Sequence, residues 1–180
     1  MSKLYSGGAK GSDLIFGEIA KSLKHDLVHF IFDGHKCKEK DVISLSKSQL
    51  KIADPYLLEA NTILNRRFPT SSNYVNSLLR RNYYQILNSN SLYAICDLDS
   101  HGIPSGGTAW AIIMFIQNRD GPVYLISKGE WFQFNRDKHS YELMTQHPPK
   151  PEGNWTGIGT REPSKISLDV LEEWWKFILR

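Results

Sequence analysis

Three times along this chain an apolar run of strand length enters a glycine-bearing turn and then a stretch whose apolar residues recur at helical spacing. The first begins at Lys3 and runs through Ser6-Gly7-Gly8-Ala9-Lys10-Gly11-Ser12-Asp13 into Ile15, Phe16, Ile19 and Leu23. The second is Leu92-Tyr93-Ala94-Ile95-Cys96, followed by Asp97 to Gly102, then Pro104-Ser105-Gly106-Gly107-Thr108 and the run Ala109 to Gln117. The third is Trp155-Thr156-Gly157-Ile158-Gly159, turning through Thr160-Arg161-Glu162-Pro163 into Leu168, Leu171, Trp174, Trp175 and Ile178. Strands that alternate with helices build a parallel sheet covered on both faces, because each crossover helix must bury its apolar stripe. The expected fold class is therefore α/β, a doubly wound parallel sheet with helices on both faces.

A glycine turn at a helix start also has chemistry. The first helical N–H groups lack partners, the helix dipole places partial positive charge there, and glycine lets a phosphate approach the backbone. The stretch from Gly7 to Asp13 reads as such a seat, and Gly106-Gly107-Thr108 as a second. Neither standard phosphate motif is matched: Lys10 precedes Gly11 instead of standing in Gly-Lys-Ser/Thr, and Gly7-Gly8 is not Gly-x-Gly-x-x-Gly. The competing reading of the first turn is a tight corner whose glycines serve only packing.

Between these units, Leu27 to Phe32 is a nearly continuous apolar run, as in a strand covered on both faces, with His29 as a core or strand-edge residue. Ser46-x-x-Gln49 has the form of a capping box, and Asp54-Pro55 places an N-cap before a first-turn proline. The polar connection 33–45 is either a lid or a surface loop. A helix is expected from Ser72 to Leu87, with Tyr74, Val75, Leu78, Leu79 and Ile86 on its buried side. Val123 to Ser127 is another strand. Residues 128–153 change pattern and read as an appended hairpin and linker, its aromatics covering the sheet.

At 180 residues the chain suits one well-filled core, so residues 1–180 are taken as a single domain. The 22 basic and 19 acidic residues are interspersed, which permits nucleic acid without indicating it. Cys37 and Cys96 are far apart and outside any Cys-x-x-Cys spacing, as in reduced thiols of a cytoplasmic protein, and no metal site is expected. No stretch of 18 apolar residues is present, so no membrane partner is expected.

The motifs together resemble the SLOG superfamily of Rossmann-like nucleotide-binding proteins, which includes the DprA/Smf proteins and the LOG phosphoribohydrolases. Ser6 to Asp13 resembles the DprA-type Ser-Gly-x-Ala-x-Gly-x-Asp turn. Gly157-Ile158-Gly159-Thr160-Arg161-Glu162, Arg81-Asn82-Tyr83-Tyr84-Gln85 and Gly106-Gly107-Thr108 resemble further segments of small, mostly phage-encoded DprA-like proteins. The segment that opens those relatives stands at the C-terminus here, so the resemblance implies circular permutation. It further implies that strand 155–159 is central, beside 92–96, and that the turns at 157–162, 7–13 and 106–108 converge on one crevice.

On this resemblance Gly7, Gly8, Lys10, Gly11, Ser12, Gly106, Gly107, Thr108, Gly159 and Thr160 surround the ligand phosphates, with Arg161 and Arg81 supplying charge-assisted hydrogen bonds. Asp13, Glu162 and Asn82 would meet ribose or base. The implied ligand is a nucleotide-derived small molecule, cyclic or of ADP-ribose type, with no further cofactor, bound by a sensor or sequestering protein that is a possible homo-oligomer. An N-glycosidic hydrolase is the enzymatic alternative, with Glu162 or Asp13 as catalytic candidates. However, the LOG-type glutamate does not follow Gly106-Gly107-Thr108. Single-stranded DNA binding, through a patch of Arg66, Arg67, Arg80 and Arg81, is the remaining alternative and is disfavoured by the low net charge of +3.

Overall fold

The computed structural model describes residues 1–35, 37 and 39–180. Its elements run β1 (Lys3–Ser6), α1 (Ser12–Ser22), β2 (Asp26–Phe32), β3 (Val42–Leu45), α2 (Lys47–Lys51), α3 (Asp54–Leu64), α4 (Asn73–Leu87) and β4 (Ser91–Ile95). They continue with α5 (Thr108–Asn118), β5 (Val123–Ser127), β6 (Glu130–Asn135), β7 (Ser140–Leu143), β8 (Asn154–Gly159) and α6 (Lys165–Ile178). The strands form one eight-stranded sheet in the order β3-β2-β1-β8-β4-β5-β6-β7. All pairings are parallel except β5 with β6 and β6 with β7.

Side-chain alternation along the central strands sorts the core into two layers. Leu92, Ala94, Cys96 and Ile158 face α3, α4 and α5, whereas Tyr93, Ile95 and Trp155 face α1 and α6. The expected α/β sheet with helices on both faces is what forms. The last strand is central: Leu4 pairs with Trp155 on one side, and Ser91 pairs with Trp155 on the other. From β8 the strands run outward through β1, β2 and β3 in one direction and through β4 and β5 in the other. The winding therefore reverses at the C-terminal strand.

Where strands pack so closely, glycine is a steric requirement. A Cβ on Gly157 would fall inside Phe16 of α1, and one on Gly159 would lie 2.7 Å from the Ile95 carbonyl oxygen of β4.

Three local expectations are corrected. The 33–45 connection contains an edge strand, β3, paired in parallel from Val42 with His29 to Leu45 with Phe32. The lid expectation falls partly on residues 36 and 38, outside the described residues. The 128–153 hairpin forms as β6 and β7 at the sheet edge, where β6 pairs with β5 and Trp131 is buried against Trp174. Its linker is tied down, since Trp174 Nε1 donates to Pro148 O at 2.9 Å and Tyr93 Oη to Pro149 O at 3.0 Å.

At α3 the N-cap is Ala53, and Asp54 is the first helical residue. Instead of capping, its carboxylate takes a two-pronged ion pair from Arg80, at 2.6 and 3.0 Å. Finally, Tyr74 and Val75 are exposed, and the buried side of α4 begins at Asn76, with Leu79 its first fully buried apolar residue. The capping box at Ser46 and Gln49 forms as read.

Candidate functional site

Parallel sheets of this kind leave a crevice beyond the carboxyl ends of the strands where the winding reverses. Here that position holds a cleft of about 540 Å³ beyond β1, β8 and β4. The turn after β1 contributes Ala9 and Asp13, and the turn after β8 contributes Gly159, Thr160, Arg161 and Glu162. The turn after β4 contributes Asp97, Ser105, Gly106, Gly107 and Thr108, and α4 adds Arg81 and Asn82 beside Val75, Leu78 and Leu79. Segments as far apart in sequence as Asp13 and Arg161 thus share one cavity. Gly7, Gly8, Lys10, Gly11 and Ser12 do not line it.

The first glycine turn is occupied from within. Its N–H groups at Gly8 and Ala9 donate to Ser6 Oγ (3.2 Å) and Asp13 Oδ2 (3.3 Å). Ser12 N and Ser12 Oγ both reach Thr160 O, at 3.2 and 2.7 Å, which locks this turn to the one after β8. The Asp13 carboxylate occupies the place read as a phosphate seat. Burial pushes its pKa up, opposed by the Arg81 guanidinium and by the N–H groups of Ala9, Gly7 and Gly159.

Arg81 is committed in the same way. It is 4% exposed, donates to Gly7 O at 2.6 Å and to Asn82 Oδ1 at 3.3 Å, and lies 3.7 Å from Asp13. There is no room for a Cβ on Gly7 because the guanidinium lies flat against it. Lys10 points to solvent.

The second glycine turn is open. A Cβ on Gly106 would meet nothing within 4 Å, and one on Gly107 only Leu79 Cδ2 at 3.9 Å. No side chain caps α5, and among the described residues no acceptor meets the N–H groups of Gly107, Thr108 and Ala109. Arg66 braces the turn from behind, donating to Gly106 O and Pro104 O at 2.7 and 3.1 Å. Helix α6 also starts at the cleft, but Ser164 Oγ already accepts from Ser167 N. The residues that composition and motif did not point to are Asp97, Ser105, Ser164 and Ser167. Asp97 had a usable signal, since it directly follows the apolar run Leu92 to Cys96.

Outside the cleft lining, His35 packs against Arg81, its Nε2 at 3.3 Å from Arg81 Nη1. Burial first, then the positive charges of Arg81 and Arg161, lower its pKa to about 4. A histidine held neutral in the fold but protonated near pH 6.5 when unfolded stabilises fully above that pH and loses the contribution as pH falls towards 4. Urea unfolding is expected to show a loss of about 1–3 kcal/mol between those pH values from this residue. The variant His35→Gln should flatten that part of the profile; an unchanged acid slope would assign it to other groups.

No family model and no curated protein matches the chain. A solved structure that it resembles is that of a protein of Syntrophus aciditrophicus SB named as a candidate molybdenum carrier protein, at 16% identity and a TM-score of 0.53, over 97% of this chain and 94% of that one. At that identity the likeness concerns the fold: a Rossmann-like α/β sheet. It carries nothing finer than that, and nothing specific to DprA-type proteins. Among the described residues no cluster of three or more His, Cys, Asp or Glu could hold a metal ion, and no helix is long and apolar enough to cross a membrane.

Proposed function

We propose that this protein binds a nucleotide-derived small molecule in the cleft, as a sensor or sequestering protein. One observation carries the reading. The uncapped start of α5, with its N–H groups at Gly107, Thr108 and Ala109, opens into a cavity that also holds Arg161, Asn82 and Glu162. A phosphate fits the helix start, Arg161 supplies a charge-assisted bond, and Asn82 and Glu162 meet hydroxyl or base groups. The apolar wall of Val75, Leu78 and Leu79 offers a flat ring somewhere to lie.

The position of β8 between β1 and β4 supports the permuted reading of the chain, in which the Gly157 to Glu162 segment is the first strand and turn of the usual order. Hydrolysis of an N-glycosidic bond is the second reading, favoured by Glu162, which lines the cleft and is exposed. Asp13 is the weaker catalytic candidate because Arg81 and three backbone N–H groups already hold it. For DNA, the patch of Arg66, Arg67, Arg80 and Arg81 is not favoured, since Arg80 pairs with Asp54, Arg66 braces the α5 turn and Arg81 is buried.

Thermal-shift and chromatographic assays with cyclic mononucleotides, nucleoside monophosphates and ADP-ribose test the proposal. Molybdate belongs in the panel because of the neighbour's name. Stabilisation without turnover is expected; a released base would favour the hydrolase. Gly107→Val fills open space in the cleft, and Arg161→Ala removes a charged bond worth about 1.5–3 kcal/mol, so each should weaken binding about tenfold or more with little change in Tm. Unchanged binding in both variants would end the assignment.

A further inference from the structure

The charges that line the cleft bear on how many phosphates it accepts, an inference that rests on the nucleotide reading. Arg81 is the most deeply placed cation, but both its Nη atoms are already engaged, and its Nε, which has no partner among the described residues, is buried. Asp13 lies 3.7 Å away with both side chains about 5% exposed or less, and the Arg81 Nη atoms donate to Gly7 O and Asn82 Oδ1. Arg66 spends its guanidinium on the outward carbonyls of Gly106 and Pro104. Of the cleft-lining cations this leaves Arg161, which is exposed.

Against it stand two carboxylates outside the Asp13 pair. Glu162 adjoins Arg161, and Asp97 sits at the carboxyl end of β4, its Oδ1 accepting from Lys128 N at 3.0 Å. That bond fixes the Asp97 side chain at the mouth of the β4 turn, on the same wall as the open α5 start. A phosphate there gains the helix dipole and Arg161. A second anionic phosphate must approach Asp97 or Glu162 with no further cleft-lining cation among the described residues to meet it, and like charges in a partly dehydrated cleft repel strongly.

We infer that the cleft selects a phosphodiester bearing one negative charge, of the cyclic mononucleotide kind, and that Asp97 and Glu162 reject ligands with a second anionic phosphate. Selection by repulsion explains why a cleft with an anion seat carries more carboxylates than free cations.

Calorimetry at low salt with a cyclic mononucleotide, the matching open monophosphate and ADP-ribose tests this. The cyclic monoanion should bind at least about tenfold tighter than ADP-ribose, with the monophosphate between them, and salt should narrow the gap. In the double variant Asp97→Asn, Glu162→Gln the advantage should shrink to about threefold or less. ADP-ribose binding as tightly as the cyclic ligand, or an unaltered gap in the double variant, overturns the inference while leaving the nucleotide reading intact. If no member of the panel binds, both fall together.

Discussion

Asp13→Ala is expected to destabilise the fold by about 3–5 kcal/mol, because it strands a buried guanidinium. Arg81 is 4% exposed, and its desolvation is opposed chiefly by Asp13. The same change frees the N–H groups of the β1 turn that now donate to the carboxylate. Replacing both partners at once, Asp13→Leu with Arg81→Met, should recover a large part of the loss, since two apolar side chains leave no unpaired charge behind. Urea denaturation of the two single variants and the double variant measures the coupling. A single-variant loss below about 1 kcal/mol would show that solvent reaches the pair and that the turn is available to an outside anion. The experiment therefore also decides whether the β1 turn serves the fold or the ligand.

Trp155→Ala should cost about 3–5 kcal/mol through the cavity left in the middle of the sheet. Trp155 is fully buried on β8, edge-on to Phe16 of α1 and Tyr93 of β4, with its Nε1 donating to His25 Nδ1 at 3.1 Å. The ring thus joins the C-terminal strand to elements from the start and the middle of the chain. Thermal unfolding compared with Phe177→Ala, a side chain 49% exposed on α6, gives the scale; the latter should change stability by no more than about 0.5 kcal/mol. Similar losses in both variants would mean that β8 is not the hub of the core.

The elements that were legible are those whose burial imposes a period. Leu92 to Cys96 and Val123 to Ser127 are covered on both faces and read as continuous apolar runs, and both are strands. The short edge strand β3 was not legible because three of its four residues face solvent, leaving only Leu45 as a core signal. Asp54 looked like a cap by position. What claimed its carboxylate was Arg80, a full helix further along the chain, whose geometry no local pattern contains.

The candidate site divides along the same line. Local sequence specified that glycine turns would stand at the carboxyl ends of strands and open helices, since that depends on chain flexibility and unpaired N–H groups within a few residues. It also specified the α/β architecture, since that follows from the alternation of strand and helix periods. Only the tertiary structure decided which turn is vacant. The β1 turn is filled by Asp13 because Arg81, distant in sequence, packs against Gly7 and holds the carboxylate in place, while among the described residues no side chain caps the α5 turn. Hydrogen-bond partners and buried charges are satisfied through space, whereas a sequence records only separations along the chain.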